Sequence, residues 1–559
     1  MTEPDTIGIT VTASGAAADA IDRHLPGLVE AGFAGKLFDQ DPTLWGEAAQ
    51  EEAAKRLSWV GLARSSRPLV GEISALREDL RGKGVDHVVL CGMGGSSLAP
   101  EVICATAGVP LTVLDSSQPD MVRAALRDRL DSTVVVVSSK SGSTVETDSQ
   151  RRAYEQAFRD AGIDPAERIV VVTDPGSPLD GEAREAGYRV INADPDVGGR
   201  YSALTAFGLV PSGLAGADIE RLLDEAEAIT DLLADDDTSN PGLRLGAALG
   251  GTEPLRDKIV LIDAGTQITG FGDWAEQLIA ESTGKDGTGL LPVVVGSAAD
   301  GPQTDDETWV LLMPSDDDES EDNATSASSD GTGGESTVGV SGALGAQLLL
   351  WEVATAVAGR LLGINPFDQP DVESAKQAAR DLLGGGSGAA DEPAFVDGDI
   401  QVRAAGGDWL GDASTVSDAL RRLIDQLGPT GYLAVMAYLD RIADSALADT
   451  RVPLATSLGR PVTFGWGPRF LHSTGQYHKG GRPEGVYLQI TTEPREDLAV
   501  PGRDFTFGEF VSAQAGGDAK VLADHGRPVL RLHLTAHDAG LAQLTRAISE
   551  VSGNGAGAR

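Results

Sequence analysis

Short, β-branched runs, each followed by a stretch with helical spacing, dominate the first half of the chain. Val85–Leu90, Leu111–Leu114, Thr133–Val137, Arg168–Val172 and Tyr188–Ile191 are such runs, and Leu69–Leu80, Met121–Leu130 and Asp148–Ala161 are helix-patterned stretches before and between them. Strands that are apolar on both faces and alternate with helices require a parallel sheet covered on both sides. The pattern therefore predicts a doubly wound α/β domain over 61–233. Residues 1–60 carry no strong strand; Ile21–Ala49 reads as helix pieces broken near Gly35, an N-terminal helical wrap.

Ala234–Pro241 is a polar break, and a second α/β pattern follows over 242–385. Lys258–Ile262, Leu290–Val295 and Trp309–Leu312 read as strands, and Trp274–Glu281, Leu344–Leu361 and Glu373–Leu383 as helices. Inside it, the insert 315–334 has six acids in seven residues from Asp316 to Asp322, which reads as a solvated loop. After a Gly-rich break at Gly384–Asp391, residues 392–559 form a C-terminal α/β region. There Val416–Leu427 and Tyr432–Ala448 are read as helices, and Pro461–Trp466, Gly485–Ile490 and Val529–Leu534 as strands.

Composition narrows the partners. A chain of 559 residues with a net charge of −41 is not expected to bind nucleic acid through its phosphates. No apolar run approaches the roughly 20 residues that span a bilayer, and the N-terminus lacks an apolar secretion segment, so a cytoplasmic protein is expected. Two cysteines, Cys91 and Cys104, cannot form a disulfide framework. His525, His533 and His537 are poorly spaced for a metal, and neither a metal nor a cofactor is expected.

Two strand-to-helix junctions carry the anion-binding chemistry. The first is Cys91-Gly-Met-Gly-Gly-Ser-Ser97, where glycines allow a tight turn and Gly94, Gly95 and Ser96 offer donors at a helix start. A plain tight turn is the competing reading. The second, Ser138-Ser-Lys-Ser-Gly-Ser-Thr-Val-Glu-Thr147, crowds six hydroxyls and one lysine into ten positions. It sits at the carboxyl end of a strand, where open α/β sheets bind ligands. Ser139, Lys140, Ser141 and Thr144 are the candidate phosphate donors; capping by one hydroxyl is the alternative. Only nine lysines occur in the chain, and Lys140, Lys285, Lys376 and Lys479 all fall in candidate site segments, which predicts a locally basic site on an acidic protein.

These two loops resemble the sugar-phosphate-binding domain of sugar isomerases. Val197-Gly-Gly-Arg-Tyr-Ser202, Gln277 with Glu281-Ser-Thr-Gly-Lys285, and Asn365-Pro-Phe-Asp-Gln-Pro-Asp-Val-Glu-Ser-Ala-Lys376 narrow the resemblance to the phosphoglucose isomerase family. A sixth segment, Leu471-His-Ser-Thr-Gly-Gln-Tyr477, resembles one that in some bacterial members precedes the Asp-Gln…Lys segment; here it follows it. The tail around Phe464–Gly485 resembles the isomerase half of bacterial transaldolase–phosphoglucose isomerase fusions. With no room for a transaldolase barrel before residue 60, a stand-alone isomerase is expected.

The resemblance implies two sugar-isomerase (SIS-type, flavodoxin-like) domains plus the C-terminal region. It implies interconversion of glucose 6-phosphate and fructose 6-phosphate through a cis-enediol, without a cofactor. Glu281 is the expected base between C1 and C2, a role that suits a carboxylate whose pKa is lifted by partial burial; a salt bridge to Lys285 is its competing role. Arg200, on the Gly198-Gly199 turn, would stabilise charge on O1 and O2, with Gly199 and Gln277 contributing to binding. Lys376 and His472 are the candidates for ring opening; a structural salt bridge to Asp371 or Glu373 competes for Lys376, and His478 competes with His472. A homodimer with one catalytic side chain crossing the interface is also implied. A sugar-phosphate-binding regulator without catalysis, and an isomerase that also accepts mannose 6-phosphate, are the alternatives.

Overall fold

A computed structural model describes residues 8–301, 304–315, 335–383 and 392–554. The chain is α/β, organised around three sheets. In the first, five parallel strands run in the order Thr112–Leu114, His87–Gly92, Thr133–Ser138, Ile169–Thr173, Arg189–Asn192. Every residue of Thr133–Ser138 is buried. Val134 and Val136 enter one hydrophobic core with Leu90 and Val172, whereas Val135 and Val137 enter another with Tyr154 and Phe158. This two-faced burial, worth roughly 1.5–3 kcal/mol per buried valine, is why an unbroken valine run forms a central parallel strand.

The second sheet has the order Thr10–Gly15, Ser336–Ser341, Glu307–Met313, Lys258–Asp263, Leu291–Val295. Its last four strands are parallel, and Thr10–Gly15 joins the edge antiparallel. This short edge strand lies within residues 1–60, where the sequence shows no strong strand. It is polar and mostly exposed, so it carries little of the apolar signal that marks a strand. Most of the acidic insert lies outside the described residues.

The third sheet runs Phe395–Asp397, Ile400–Ala405, Val529–Leu534, Gly485–Thr492, Tyr432–Tyr438, Val462–Trp466. Tyr432–Tyr438 corrects the expected helix from Tyr432 to Ala448. Leu433, Val435 and Ala437 fill one core, and Tyr432, Ala434, Met436 and Tyr438 another, so burial on both faces makes this segment a strand. Two long helices outside the sequence reading, Phe507–Asp524 and His537–Asn554, complete this part of the chain. Among the described residues no helix is long and apolar enough to cross a membrane.

Charged clusters fasten the third sheet to the other two. The fully buried Lys258 ammonium lies 2.9 Å from Asp257, 3.0 Å from Asp306 and 2.9 Å from Glu484. Arg441 and Arg469 reach Glu101 and Asp115 of the first sheet's layer at 2.6–3.2 Å. Such pairs add little net stability, because desolvation offsets their attraction. Removing one member strands the rest, at a cost of about 3–5 kcal/mol. Lys258→Met is therefore expected to lower the unfolding free energy by about that amount in urea titrations; an unchanged midpoint would show that the cluster does not hold the sheets together.

Candidate active site

The two anion loops leave one sheet edge side by side, because their strands are parallel neighbours with Gly92 opposite Ser138. The turn after Gly92 is closely approached from three directions. A methyl group on Gly95 would lie 1.9 Å from the Gly199 carbonyl oxygen, and one on Gly94 would lie 2.8 Å from Gln277 Nε2 and 3.0 Å from His472 Cβ. Gly94 also has φ +57°, a conformation that glycine adopts freely. The glycines thus bring together segments that lie far apart in the chain.

The second loop leads into the helix Val145–Asp160, whose N-cap Thr144 makes no capping bond through its side chain. Instead Ser139 Oγ donates to Thr144 Oγ1 at 3.2 Å, and the Ser141 and Ser143 hydroxyls lie 2.8 Å apart. The first-turn amides therefore have no side-chain cap from Thr144, as suits an anion site. Lys140 departs from the expected geometry: its ammonium donates to Asp174 at 2.6 Å and to the Pro195 carbonyl at 3.0 Å. Ser96 is buried on the turn Gly94–Ser96.

Gln277 and Glu281 stand one turn apart on the helix Phe271–Thr283, both buried. The Gln277 amide donates to Glu281 Oε2 at 3.0 Å and to the His472 carbonyl at 2.7 Å. Arg200 Nη1 lies 3.6 Å from Glu281 Oε1. Nη1 also donates to Gln369 at 2.8 Å, while Nε donates to Ser282 (2.8 Å) and Nη2 to the Pro366 and Asp368 carbonyls (2.6 and 3.0 Å). Lys285 is directed to the same segment, donating to the Asn365 and Asp368 carbonyls and to the Asp368 carboxylate at 2.6–2.8 Å. Burial and the nearby Arg200 pull its pKa down to about 8. Lys285 thus pairs with Asp368, so the competing role for Glu281, a salt bridge to Lys285, is not what the geometry shows.

The two histidines have different surroundings. His472 Nε2 is 3.1 Å from Glu146 Oε1, and its carbonyl meets Gln277. His478 is enclosed by the rings of Tyr432, Phe470 and Tyr487, and among the described residues neither ring nitrogen has a hydrogen-bond partner. Desolvation, reinforced by Lys479 and Arg527, pushes its pKa down to about 3. Lys479 is turned away to a buried pair with Asp518 at 2.5 Å. Lys376 falls on the helix Pro370–Leu383, and its side chain lies outside the described residues. Cys91 is buried in the first sheet, and burial raises its thiol pKa.

The structure thus brings Gly94, Gly95, Gly199, Arg200, Gln277, Glu281 and His472 together. It pairs Lys140 with Asp174 and Lys479 with Asp518, whereas Lys285 reaches the Asn365–Asp368 segment beside Arg200. Sequence reasoning missed Glu146, Ser282 and Gln369. Glu146 stands inside the hydroxyl-rich segment, where a lone carboxylate among phosphate donors was the available signal.

No family model matches the chain. It is 31% identical over 379 residues to a protein named "Probable glucose-6-phosphate isomerase" from Natronomonas pharaonis, covering 60% of this chain and 86% of that protein. A protein of the same name from Haloarcula marismortui is 32% identical over 355 residues, covering 56% of this chain and 81% of that one. Among solved structures, a hypothetical protein from Thermus thermophilus superposes with a TM-score of 0.55 at 25% identity, covering 67% of this chain and 100% of that one. A glucose-6-phosphate isomerase from Chlamydia trachomatis has a TM-score of 0.53 at 21% identity, covering 68% of this chain and 89% of that one, and shares the fold.

The enclosed His478 generates a pH prediction. Its folded pKa, about 3, lies below the ordinary value of 6.5. Between these values the unfolded chain holds a proton that the folded chain lacks, so stability is lost as pH falls through this window. At pH 5 the loss is about 2 kcal/mol. His478→Phe should flatten the decline in unfolding free energy between pH 7 and pH 4; parallel profiles for variant and wild type would contradict this.

Proposed function

The chain belongs to the glucose-6-phosphate isomerase family, and from that premise we propose that it interconverts glucose 6-phosphate and fructose 6-phosphate by proton transfer through a cis-enediol. The observation that carries this reading is the double hydrogen bond of Gln277. It joins the Glu281 carboxylate to the backbone of His472, while Arg200 faces the same carboxylate at 3.6 Å. A protein that only bound sugar phosphate would need the two anion loops. It would not need a buried carboxylate oriented by an amide and faced by a guanidinium.

Each residue has a role in this reading. The hydroxyls of Ser96, Ser139, Ser141 and Thr144, with the first amides of Val145–Asp160, hold the phosphate. Lys140, paired with Asp174, fixes the loop that presents them. His472, oriented by Glu146, and Lys376 move the protons that open and close the sugar ring. Glu281 then takes a proton from C2 of the open aldose and returns it to C1, while Arg200 stabilises the developing charge on O1 and O2. The enzyme is further proposed to act in the cytoplasm as a homodimer.

Mixing purified protein with fructose 6-phosphate is expected to produce glucose 6-phosphate, and a folded protein without turnover would overturn the reading. Glu281→Gln keeps the shape and removes the base. It is expected to lower kcat by about 100-fold or more; a rate near wild type would assign the base elsewhere.

A further inference from the structure

His472 and Glu146 are joined by a third group that comes from the far end of the chain. Gln514 lies on the helix Phe507–Asp524 of the third sheet's layer and is buried. Its amide nitrogen donates to Glu146 Oε1 at 2.7 Å, the same oxygen that meets His472 Nε2 at 3.1 Å. Its amide oxygen accepts from the hydroxyl of Ser117, a completely buried residue just beyond the strand Thr112–Leu114.

An amide has one accepting end and one donating end. With Ser117 on the accepting end, the donating end of Gln514 is held toward the carboxylate. A carboxylate that accepts from an amide N–H and an imidazole N–H is held in one orientation. The imidazole is then fixed with its proton on Nε2, and the neutral ring has its lone pair on Nδ1.

The helix that carries Gln514 also seats the helix of the second ring-opening candidate. A methyl on Gly517 would lie 2.8 Å from the Ala379 nitrogen, so Phe507–Asp524 meets the backbone of Pro370–Leu383, the helix bearing Lys376.

We propose that Gln514, oriented by Ser117, is a positioning residue for sugar-ring opening, holding Glu146 so that His472 keeps a single tautomer and orientation. This rests on the isomerase reading above. Opening the ring breaks the bond between the anomeric carbon and O5. O5 gains a proton, the anomeric hydroxyl loses one, and the electrons of its O–H bond become the second carbon–oxygen bond of the carbonyl. Proton gain and loss balance, and no further reactant is required. A misoriented imidazole slows this exchange while leaving phosphate binding intact.

The test is steady-state kinetics of full-length Gln514→Ala and Ser117→Ala with fructose 6-phosphate, together with calorimetric binding of an open-chain six-carbon sugar-acid phosphate. Gln514→Ala is expected to lower kcat about tenfold with KM within about twofold. Ser117→Ala, which frees the amide to turn without touching Glu146 or His472, should act in the same direction by about threefold. The open-chain ligand should bind both variants as it binds wild type, because it has no ring to open. Wild-type kcat in both variants, or a parallel loss of kcat and open-chain affinity, would overturn the inference. If Gln514→Ala does not fold, Ser117→Ala decides alone. A wild-type chain without turnover would overturn the isomerase reading itself, an outcome distinct from active wild type with unaffected variants.

Discussion

The site depends on a close approach of backbones that only glycine permits. At Gly95 a side-chain carbon would sit 1.9 Å from the Gly199 carbonyl oxygen, well inside any contact distance. That approach sets the Gly199–Tyr201 turn, and hence Arg200, against the first anion loop. The neighbouring Gly94 leaves room for Gln277 and His472 on the other side. Once these segments are in place, the hydrogen bonds follow over short distances: Gln277 to Glu281, Gln277 to the His472 carbonyl, and Arg200 to the segment that leads to Lys376. The Gly94–Ser96 turn, Glu281 and His472 are thereby held by rigid elements, which is what the proposed proton transfer demands.

Four lysines of this strongly acidic chain fasten elements of the fold together. Lys140 holds Asp174, Lys285 holds Asp368, Lys479 holds Asp518, and Lys258 gathers three carboxylates between two sheets. Some of the acid is also structural. Asp236, in the acidic break between the first two patterns, accepts the amides of Ala34 and Gly35 and so pins the N-terminal helices. In the proposed reading, the phosphate is received by hydroxyls and helix-start amides, short-range donors whose effect is local and does not require a positive overall field.

How much of this was legible in the sequence depended on whether the signal was local. The Thr133–Ser138 strand was visible because burial on both faces writes itself as consecutive valines. Thr10–Gly15 was not, since a polar edge strand owes its existence to Ser336–Ser341 across the sheet. Tyr432–Tyr438 was misread because a run of Leu, Ala, Val and Met suits a buried helix and a buried strand alike, and the periodicity does not separate them. Within the site, Glu281 and Arg200 stood out through their neighbours in sequence. His472 and His478 lie six residues apart in similar surroundings, and the aromatic enclosure of one and the carboxylate beside the other exist only in three dimensions. Gln514 had no local signature, because the carboxylate it holds is 368 residues away.

The central claim is that a buried carboxylate moves a proton between adjacent carbons of an open sugar phosphate. A proton held by Glu281 can exchange with solvent before it is returned, whereas a hydride passing directly between the carbons cannot. The direct measurement is nuclear magnetic resonance of fructose 6-phosphate converted by the protein in deuterium oxide. The account predicts glucose 6-phosphate carrying solvent deuterium at C2; conversion with no solvent deuterium there, or no conversion by the folded protein, would contradict it.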